Sequence, residues 1–218
     1  KGKISFGTVG PPIPAVEVKI AEDGEILARG PNIMKGYYNN DEATKEIIDA
    51  QGWLHTGDIG ELDAQGHLRI TDRKKEIIVM SNGKNVAPQP IESLIKTSSY
   101  VEQLVLIGDN RKYISALIVP TIDNLKIKAA ELGVSNLDPA ALCQDEKVQH
   151  FMRAEIDRVS SGHLARFEEI KQFHLLPNEF TIENNEITPK LSLRRKIIAQ
   201  RYADQIEQMY APEHSAKV

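Results

Sequence analysis

The stretch from Gly52 to Pro90 constrains the fold of this 218-residue chain more than any other. It places charged side chains between short apolar runs, with glycines at close intervals. The segment Asp63–Gly66, between the runs ELD and HLRI, is typical of a tight hairpin turn. We expect turns at the polar positions, namely His55, Thr56, Asp58, Asp72, Arg73 and Lys75. Charged turns usually serve binding or catalysis, so function should be sought here first.

The first part of the chain predicts a small β-barrel or sheet. Between Thr8 and Ile70, short β-like runs such as VEVKI, EILARG, GELD and GHLRI are separated by glycine, aspartate and proline. One helix should interrupt them, because Asn40 is a good N-cap for the following DEATKEIIDA, and Gly52 ends that segment.

After the run DRKK the pattern changes to strands mixed with helices. EIIVM, VEQLVLIGD and YISALIVP favour strands, and IESLIKTSS and DNLKIKAAELGV favour helices. The stretch Ala140–Ser160 and the tail RRKIIAQRYADQIEQMY also have helical apolar spacing, the latter with an amphipathic pattern. The sequence therefore predicts an α+β protein: a small β-barrel or sheet subdomain followed by a compact α+β domain.

Composition excludes several classes of function. With a net charge of −4 and a pI near 5.9, the chain has no overall cationic field for nucleic acid. The single cysteine, Cys143, rules out an internal disulfide, and neither it nor the six histidines show metal-ligand spacing, so no protein-bound metal is expected. The apolar runs are far shorter than the roughly 20 residues of a membrane-spanning helix.

Linked motifs carry a resemblance to a known family. The TGD motif ending at Asp58, the DRKK motif beginning at Asp72 and the glycine loop SNGKN follow one another, and GEILARGPNIMKGYYNNDEAT lies upstream. This order resembles the adenylate-forming superfamily of acyl-CoA synthetases, peptide-synthetase adenylation domains and luciferases. The segments GKNVAPQPIE, LARFEEIKQFHLLP and ITPKLSLRRK are similar to its long-chain fatty-acid CoA ligase branch.

The resemblance implies an acyl-CoA synthetase-like domain organisation. Residues 1–72 would be the C-terminal β subdomain of the large AMP-binding domain, 73–76 a hinge, and 77–218 a mobile C-terminal α+β domain. The family's glycine-rich phosphate loop does not occur in this sequence, so we expect a fragment of a longer enzyme, inactive by itself. The missing N-terminal domain of the same chain would be its partner.

The resemblance also assigns nucleotide-binding residues. Asp58 would accept hydrogen bonds from the ribose hydroxyls, and Arg73 would contact the same ribose through guanidinium donors. Lys75 would be the hinge residue whose backbone rotates between the two half-reactions. Gly83, Lys84 and Asn85 would belong to a loop that enters the active site and lines the passage for coenzyme A.

The adenylation lysine departs from the family pattern. When the chain is aligned on Thr188-Pro189, Ser192 stands where the family usually has lysine. Lys190 lies two residues earlier and would point the same way on an extended segment, so we predict Lys190 as catalytic. Arg194 is the remaining candidate, although guanidinium does not replace ammonium well.

The implied function is long-chain fatty-acid CoA ligation. The substrates would be fatty acid, ATP and coenzyme A, with Mg²⁺ arriving on ATP. Two alternatives remain open: an adenylating enzyme with a carrier-protein acceptor, and a non-catalytic nucleotide-binding or regulatory module, which the departure at Ser192 favours. A cytoplasmic location is expected, with peripheral membrane contact left open.

Overall fold

The computed structural model describes residues 5–211 and divides the chain into two compact units, Lys1–Ile77 and Ile78–Val218. The first unit is built on an antiparallel sheet in the strand order β1–β2–β3–β4. Its strands are β1 (Glu17–Ile20), β2 (Glu25–Arg29), β3 (Leu54–Leu62) and β4 (Leu68–Arg73). This is the small sheet that the alternating runs predict.

Helix α1 (Asp41–Ile47) lies between β2 and β3 and confirms the predicted N-cap. The Asn40 side chain accepts a hydrogen bond from the Ala43 amide at 3.0 Å, which satisfies one of the unpaired donors of the first turn. The hairpin turn is also confirmed, because the Asp63 carboxylate accepts hydrogen bonds from the Gln65 and His67 amides.

The expectation of turns was wrong at five of the six polar positions, since only Lys75 lies outside a strand, in a 3₁₀ helical turn. His55, Thr56 and Asp58 lie within β3, and Asp72 and Arg73 lie within β4. A β-bulge between Ile59 and Gly60 and the positive φ of +73° at Gly57 distort β3 without ending it. The glycines that suggest turns in the sequence therefore lie in an irregular strand. Pairing of β3 with β2 on one side and with β4 on the other keeps this strand extended.

The first unit ends with a 3₁₀ helix, Lys74–Glu76. The second unit contains the short pair β5 (Ile78–Val79) and β6 (Asn85–Val86), and a separate three-stranded sheet of β7 (Val101–Ile107), β8 (Ile114–Pro120) and β9 (Ile170–Leu175). Strand β8 is central: it pairs antiparallel with β7 and parallel with β9.

Helices cover both faces of this sheet. They are α2 (Pro88–Ile95), α3 (Ile122–Glu131), α4 (Pro139–Gln144), α5 (Glu146–Ser160), α6 (Arg195–Arg201) and α7 (Ala203–Tyr210). Side chains of β8 alternate between two apolar clusters: Ile118 packs with the cluster of α2 to α5, and Leu117 packs with that of α6 and α7. The α+β class predicted from the sequence is confirmed.

Two predicted helices are each divided in the structure. The stretch Ala140–Ser160 breaks at Asp145, whose extended backbone lets its carboxylate cap the amides of Lys147 and Val148. The tail breaks at Tyr202, which separates α6 from α7. Apolar spacing runs through both breaks because both halves face the same core, so periodicity alone could not locate them.

Candidate functional site

Asp58 and Arg73 face each other across the β3–β4 ladder. The Arg73 Nε lies 2.9 Å from Asp58 Oδ1, and the Asp58 side chain remains 26% exposed. A regular hairpin register continued from Leu62 opposite Leu68 would place Asp58 opposite Asp72; the bulge shifts the register by one residue and replaces that repulsive pair with an attractive one. The structure thus brings together the two residues predicted to bind the ribose.

A buried carboxylate, Glu25, contacts both the backbone and a side chain of this irregular strand. Its Oε1 accepts a hydrogen bond from the Gly57 amide at 3.0 Å, and its Oε2 lies 2.8 Å from His55 Nδ1 and 2.9 Å from Lys74 Nζ. Lys74 also pairs with Asp23 at 2.6 Å. Glu25 therefore connects the residue before Asp58 to the residue after Arg73.

The electrostatics of Glu25 follow from these contacts. Burial of the carboxyl would raise its pKa, but the hydrogen bonds from His55, Lys74 and the Gly57 amide outweigh burial and leave the pKa lowered. The carboxylate is therefore charged at neutral pH. Sequence reasoning missed this residue, although it is the glutamate of the GEIL run that carried part of the family resemblance.

The predicted hinge residue Lys75 is exposed in the 3₁₀ helix Lys74–Glu76. This helix is the last element of the first unit, which ends at Ile77. Its backbone conformation differs from that of strand β4 before it and of strand β5 after it. Such short elements between compact units are where backbone rotation is absorbed most easily, so Lys75 stays a predicted hinge.

The loop predicted to line the passage for coenzyme A is a tight turn that joins β5 to β6. The Met80 amide donates to the Lys84 carbonyl at 2.9 Å, and Gly83 adopts a φ of +79° that favours glycine. Asn85 begins β6 and is exposed. The Lys84 ammonium lies 4.2 Å from the centroid of the Phe167 ring, a cation–π distance that holds the lysine against the protein.

Lys190 lies at the tip of a turn, which contradicts the extended segment that sequence reasoning assumed. The Thr188 amide donates to the Ser192 carbonyl at 2.9 Å, and Leu191 has a φ of +60°. Lys190 and Ser192 are both exposed, but the alternation of an extended strand does not relate their side chains. The assignment of Lys190 as catalytic therefore loses that argument and stays a prediction.

Two buried carboxylates anchor the base of this turn. Glu186 accepts hydrogen bonds from the Thr181 amide and the Tyr202 hydroxyl, and its carbonyl accepts from the Arg194 amide. Glu92 on α2 binds Arg195 through two contacts of 2.6 and 2.7 Å. Hydrogen bonds and an ion pair thus fix the base of the turn that carries Lys190.

The structure also bears on metal binding, thiol chemistry and membrane-spanning helices in the part of the chain that it describes. Between residues 5 and 211, no three His, Cys, Asp or Glu side chains are placed to hold a metal ion; His214 lies outside this range. Burial raises the pKa of the Cys143 thiol to about 11, which makes it a poor nucleophile. None of the helices in this range is long and apolar enough to cross a membrane.

Residues 75–214 match the family described as the AMP-binding enzyme C-terminal domain. The chain belongs to this family. The match begins inside the 3₁₀ helix and covers the second unit through α7. It confirms the resemblance to adenylate-forming enzymes on which the predicted site rests.

Several proteins are similar to this chain along nearly its whole length. Protein fadD11 of Mycobacterium tuberculosis is 43% identical over 95% of the chain, which covers 36% of that protein. The long-chain-fatty-acid–CoA ligase FadD15 of the same species is 39% identical over 96% of the chain, which covers 35% of it. The chain thus spans about a third of the length of these relatives.

Solved structures agree with the fold. The A domain of a carboxylic acid reductase from Segniliparus rugosus, solved with AMP and a co-purified carboxylic acid, superposes with a TM-score of 0.73 at 25% identity. The superposition covers 92% of this chain and 32% of that one. The structure therefore has the fold of the corresponding part of that adenylation domain.

Proposed function

We propose that the full-length protein is an ATP-dependent long-chain fatty-acid–CoA ligase. It would join a fatty acid to ATP to form acyl-AMP and pyrophosphate, and then transfer the acyl group to coenzyme A with release of AMP. The single observation that carries the proposal is the Asp58–Arg73 pair, in which Arg73 directly precedes the 3₁₀ helix, as in the family's motif order. The names of FadD15 and the human long-chain-fatty-acid–CoA ligase 6, which is 33% identical, support the substrate class.

The nucleotide fits the residues that the first unit presents. Asp58 offers a partly exposed carboxylate that can accept ribose hydroxyls, and Arg73 orients that carboxylate while presenting its own donors. Mg²⁺ would come with ATP and be held mainly by phosphate oxygens. In this scheme Lys190 supplies positive charge to the adenylation step, and Arg194 is the alternative.

The two half-reactions require a change of arrangement in the same chain. We assign residues 73–76 as the hinge and Lys75 as its pivot, between the β subdomain of the AMP-binding domain and the C-terminal domain. Gly83, Lys84 and Asn85 then line the route of coenzyme A. The 218 residues would be inactive without the N-terminal part that carries the phosphate loop, and the enzyme would work in the cytoplasm.

A carrier-protein acceptor is the second candidate. The observation that favours it is the similarity to the didomain of the Segniliparus rugosus carboxylic acid reductase, which has a TM-score of 0.66 at 27% identity. In that case the acyl-adenylate would react with a protein-bound thiol. Adenylation would be the same, and only the second half-reaction would differ.

Pyrophosphate exchange by the full-length protein with palmitate tests the first half-reaction. We expect exchange in the wild type and a loss of about 100-fold in Lys190→Ala, because a positioned cation offsets developing charge. Ser192→Ala and Lys96→Ala, which removes an exposed lysine elsewhere in the second unit, should retain exchange. Full exchange in Lys190→Ala would remove that assignment, and loss in Arg194→Ala alone would transfer the role to Arg194.

The second half-reaction separates the acceptors. Release of AMP that depends on free coenzyme A supports the ligase. Acyl-adenylate that accumulates with coenzyme A but is consumed by a phosphopantetheinylated carrier protein supports the alternative. Nucleotide binding without any exchange would support a non-catalytic module, the reading that Ser192 in place of lysine favours.

A further inference from the structure

The segment of β3 that carries Asp58 is not paired regularly with β2. One residue of β2 lies between the paired positions Glu25 and Leu27, whereas three residues of β3, Thr56–Asp58, lie between their partners. Such a bulge changes the direction of the side chains that it carries, and its backbone groups need other hydrogen-bond partners. The direction of the Asp58 carboxylate therefore depends on the groups that hold this segment.

Two side chains hold the irregular segment. The Thr56 hydroxyl accepts a hydrogen bond from the Asp58 amide at 3.2 Å and donates one to the Ile26 carbonyl at 2.7 Å. The Glu25 carboxylate accepts a hydrogen bond from the Gly57 amide at 3.0 Å. Glu25 is buried, and a hydrogen bond to a charged acceptor is stronger than one between neutral groups. Glu25 thus fixes the backbone one residue before Asp58.

The same carboxylate holds the chain beside Arg73. Its second oxygen lies 2.9 Å from Lys74 Nζ, and Lys74 directly follows Arg73. Asp23 places another carboxylate oxygen 2.6 Å from the same ammonium, and all of these residues belong to the first unit. The Arg73 side chain is 69% exposed, so packing constrains it little, and the position of its backbone matters more.

The contacts of Glu25 lead to both members of the Asp58–Arg73 pair. Glu25 is buried and acts through Gly57 and Lys74 rather than through contact with the nucleotide. We infer that Glu25 is a positioning residue for the ribose hydroxyls, and that its ion pair with Lys74 sets how strongly the site prefers ribose to deoxyribose. This inference rests on the nucleotide site of the proposed function. Hydrogen bonds weaken steeply with distance and angle, so a displaced Asp58 carboxylate loses its preference for the hydroxyls.

Comparison of AMP with 2′-deoxy-AMP and 3′-deoxy-AMP provides the test, since each analogue lacks one hydroxyl that Asp58 would accept. Calorimetric titration of the full-length wild type should show that at least one analogue binds about tenfold more weakly than AMP, the effect of one charge-assisted hydrogen bond. Glu25→Gln and Lys74→Met should each reduce this preference to about threefold, mainly by weakening AMP binding. The double variant should lose no more than either single variant, because both substitutions break the same contact.

Three further variants separate positioning from stability. Asp58→Ala should abolish the preference for AMP, because it removes the acceptor itself. Lys74→Arg keeps the positive charge and should restore most of the preference that Lys74→Met loses. Asn40→Ala removes the N-cap of α1 elsewhere in the first unit, so it should weaken the fold while keeping the wild-type preference.

An unchanged preference in both Glu25→Gln and Lys74→Met would overturn the inference, as would equal affinity of the wild type for AMP and both analogues. A similar loss of preference in Asn40→Ala would also overturn it, since general destabilisation would then account for the effect. The titration needs no acyl substrate. A protein that shows the expected preferences but no pyrophosphate exchange with palmitate would therefore uphold the inference while the proposed function fails.

Discussion

Replacing Glu25 with glutamine should destabilise the first unit measurably. The substitution keeps an oxygen that can accept the Gly57 hydrogen bond, but it removes the negative charge that faces Lys74 and His55. The remaining lysine would then keep Asp23 as its carboxylate partner within the group. The change is nearly isosteric, so packing contributes little to the expected effect.

The magnitude follows from the distances and exposure. At 2.9 Å and an effective dielectric constant of about 20, the Glu25–Lys74 attraction is about 6 kcal/mol before desolvation. The Lys74 side chain is 45% exposed, so solvent screens most of this energy, while the Glu25 side chain is 4% exposed and has lost its water. We expect the free energy of unfolding to fall by about 2 kcal/mol.

The only tryptophan of the chain makes the assay specific. Trp53 is 7% exposed and lies directly before β3, so its fluorescence during urea unfolding reports on the first unit. Glu61→Gln is the matched control, because Glu61 forms an exposed pair with Arg69 at 3.6 Å that should contribute less than about 1 kcal/mol. Equal losses in the two variants would refute the reasoning.

The pH dependence gives a second check. The pKa of Glu25 in the folded protein is lowered from its ordinary 4.5, so its charge stabilises the fold above that pH, and the contribution is lost as the pH falls through the folded-state pKa. The difference between wild type and Glu25→Gln should be full at pH 7 and shrink below about pH 4.5. A constant difference down to pH 3 would contradict the assignment.

Three further outcomes are expected. Gly60→Ala should lower the free energy of unfolding by about 3 kcal/mol in the Trp53 assay, because its Cβ would lie 2.3 Å from the Arg69 carbonyl oxygen. Gly57→Ala should lower it by only about 1 kcal/mol, because its Cβ would meet open space and only the φ of +73° is unfavourable. Leu191→Gly should stabilise the second unit by about 1 kcal/mol in a thermal melt, since Leu191 has a φ of +60°. Cys143 should react with a thiol reagent at pH 7.5 only upon unfolding, because burial raises its pKa to about 11; rapid reaction of the native protein would contradict its burial.

The sequence was sufficient for features that depend on neighbouring residues. The Asn40 cap, the Asp63–Gly66 turn and the apolar strands of the second unit are encoded within a few positions. Prediction from the sequence failed where one local pattern is compatible with two different structures. The glycines near Asp58 resemble a turn, and only pairing on both sides makes the segment a strand.

The order of motifs along the chain was enough to predict the family and the pair Asp58 and Arg73, but tertiary structure decided how these residues meet. One bulge sets their register and exchanges Asp72 for Arg73 opposite Asp58. Glu25 reaches Lys74 across 49 positions, and Glu92 reaches Arg195 across 103. The energies of such contacts depend on burial and register, which are properties of the packed sheets and helices rather than of any short stretch of sequence.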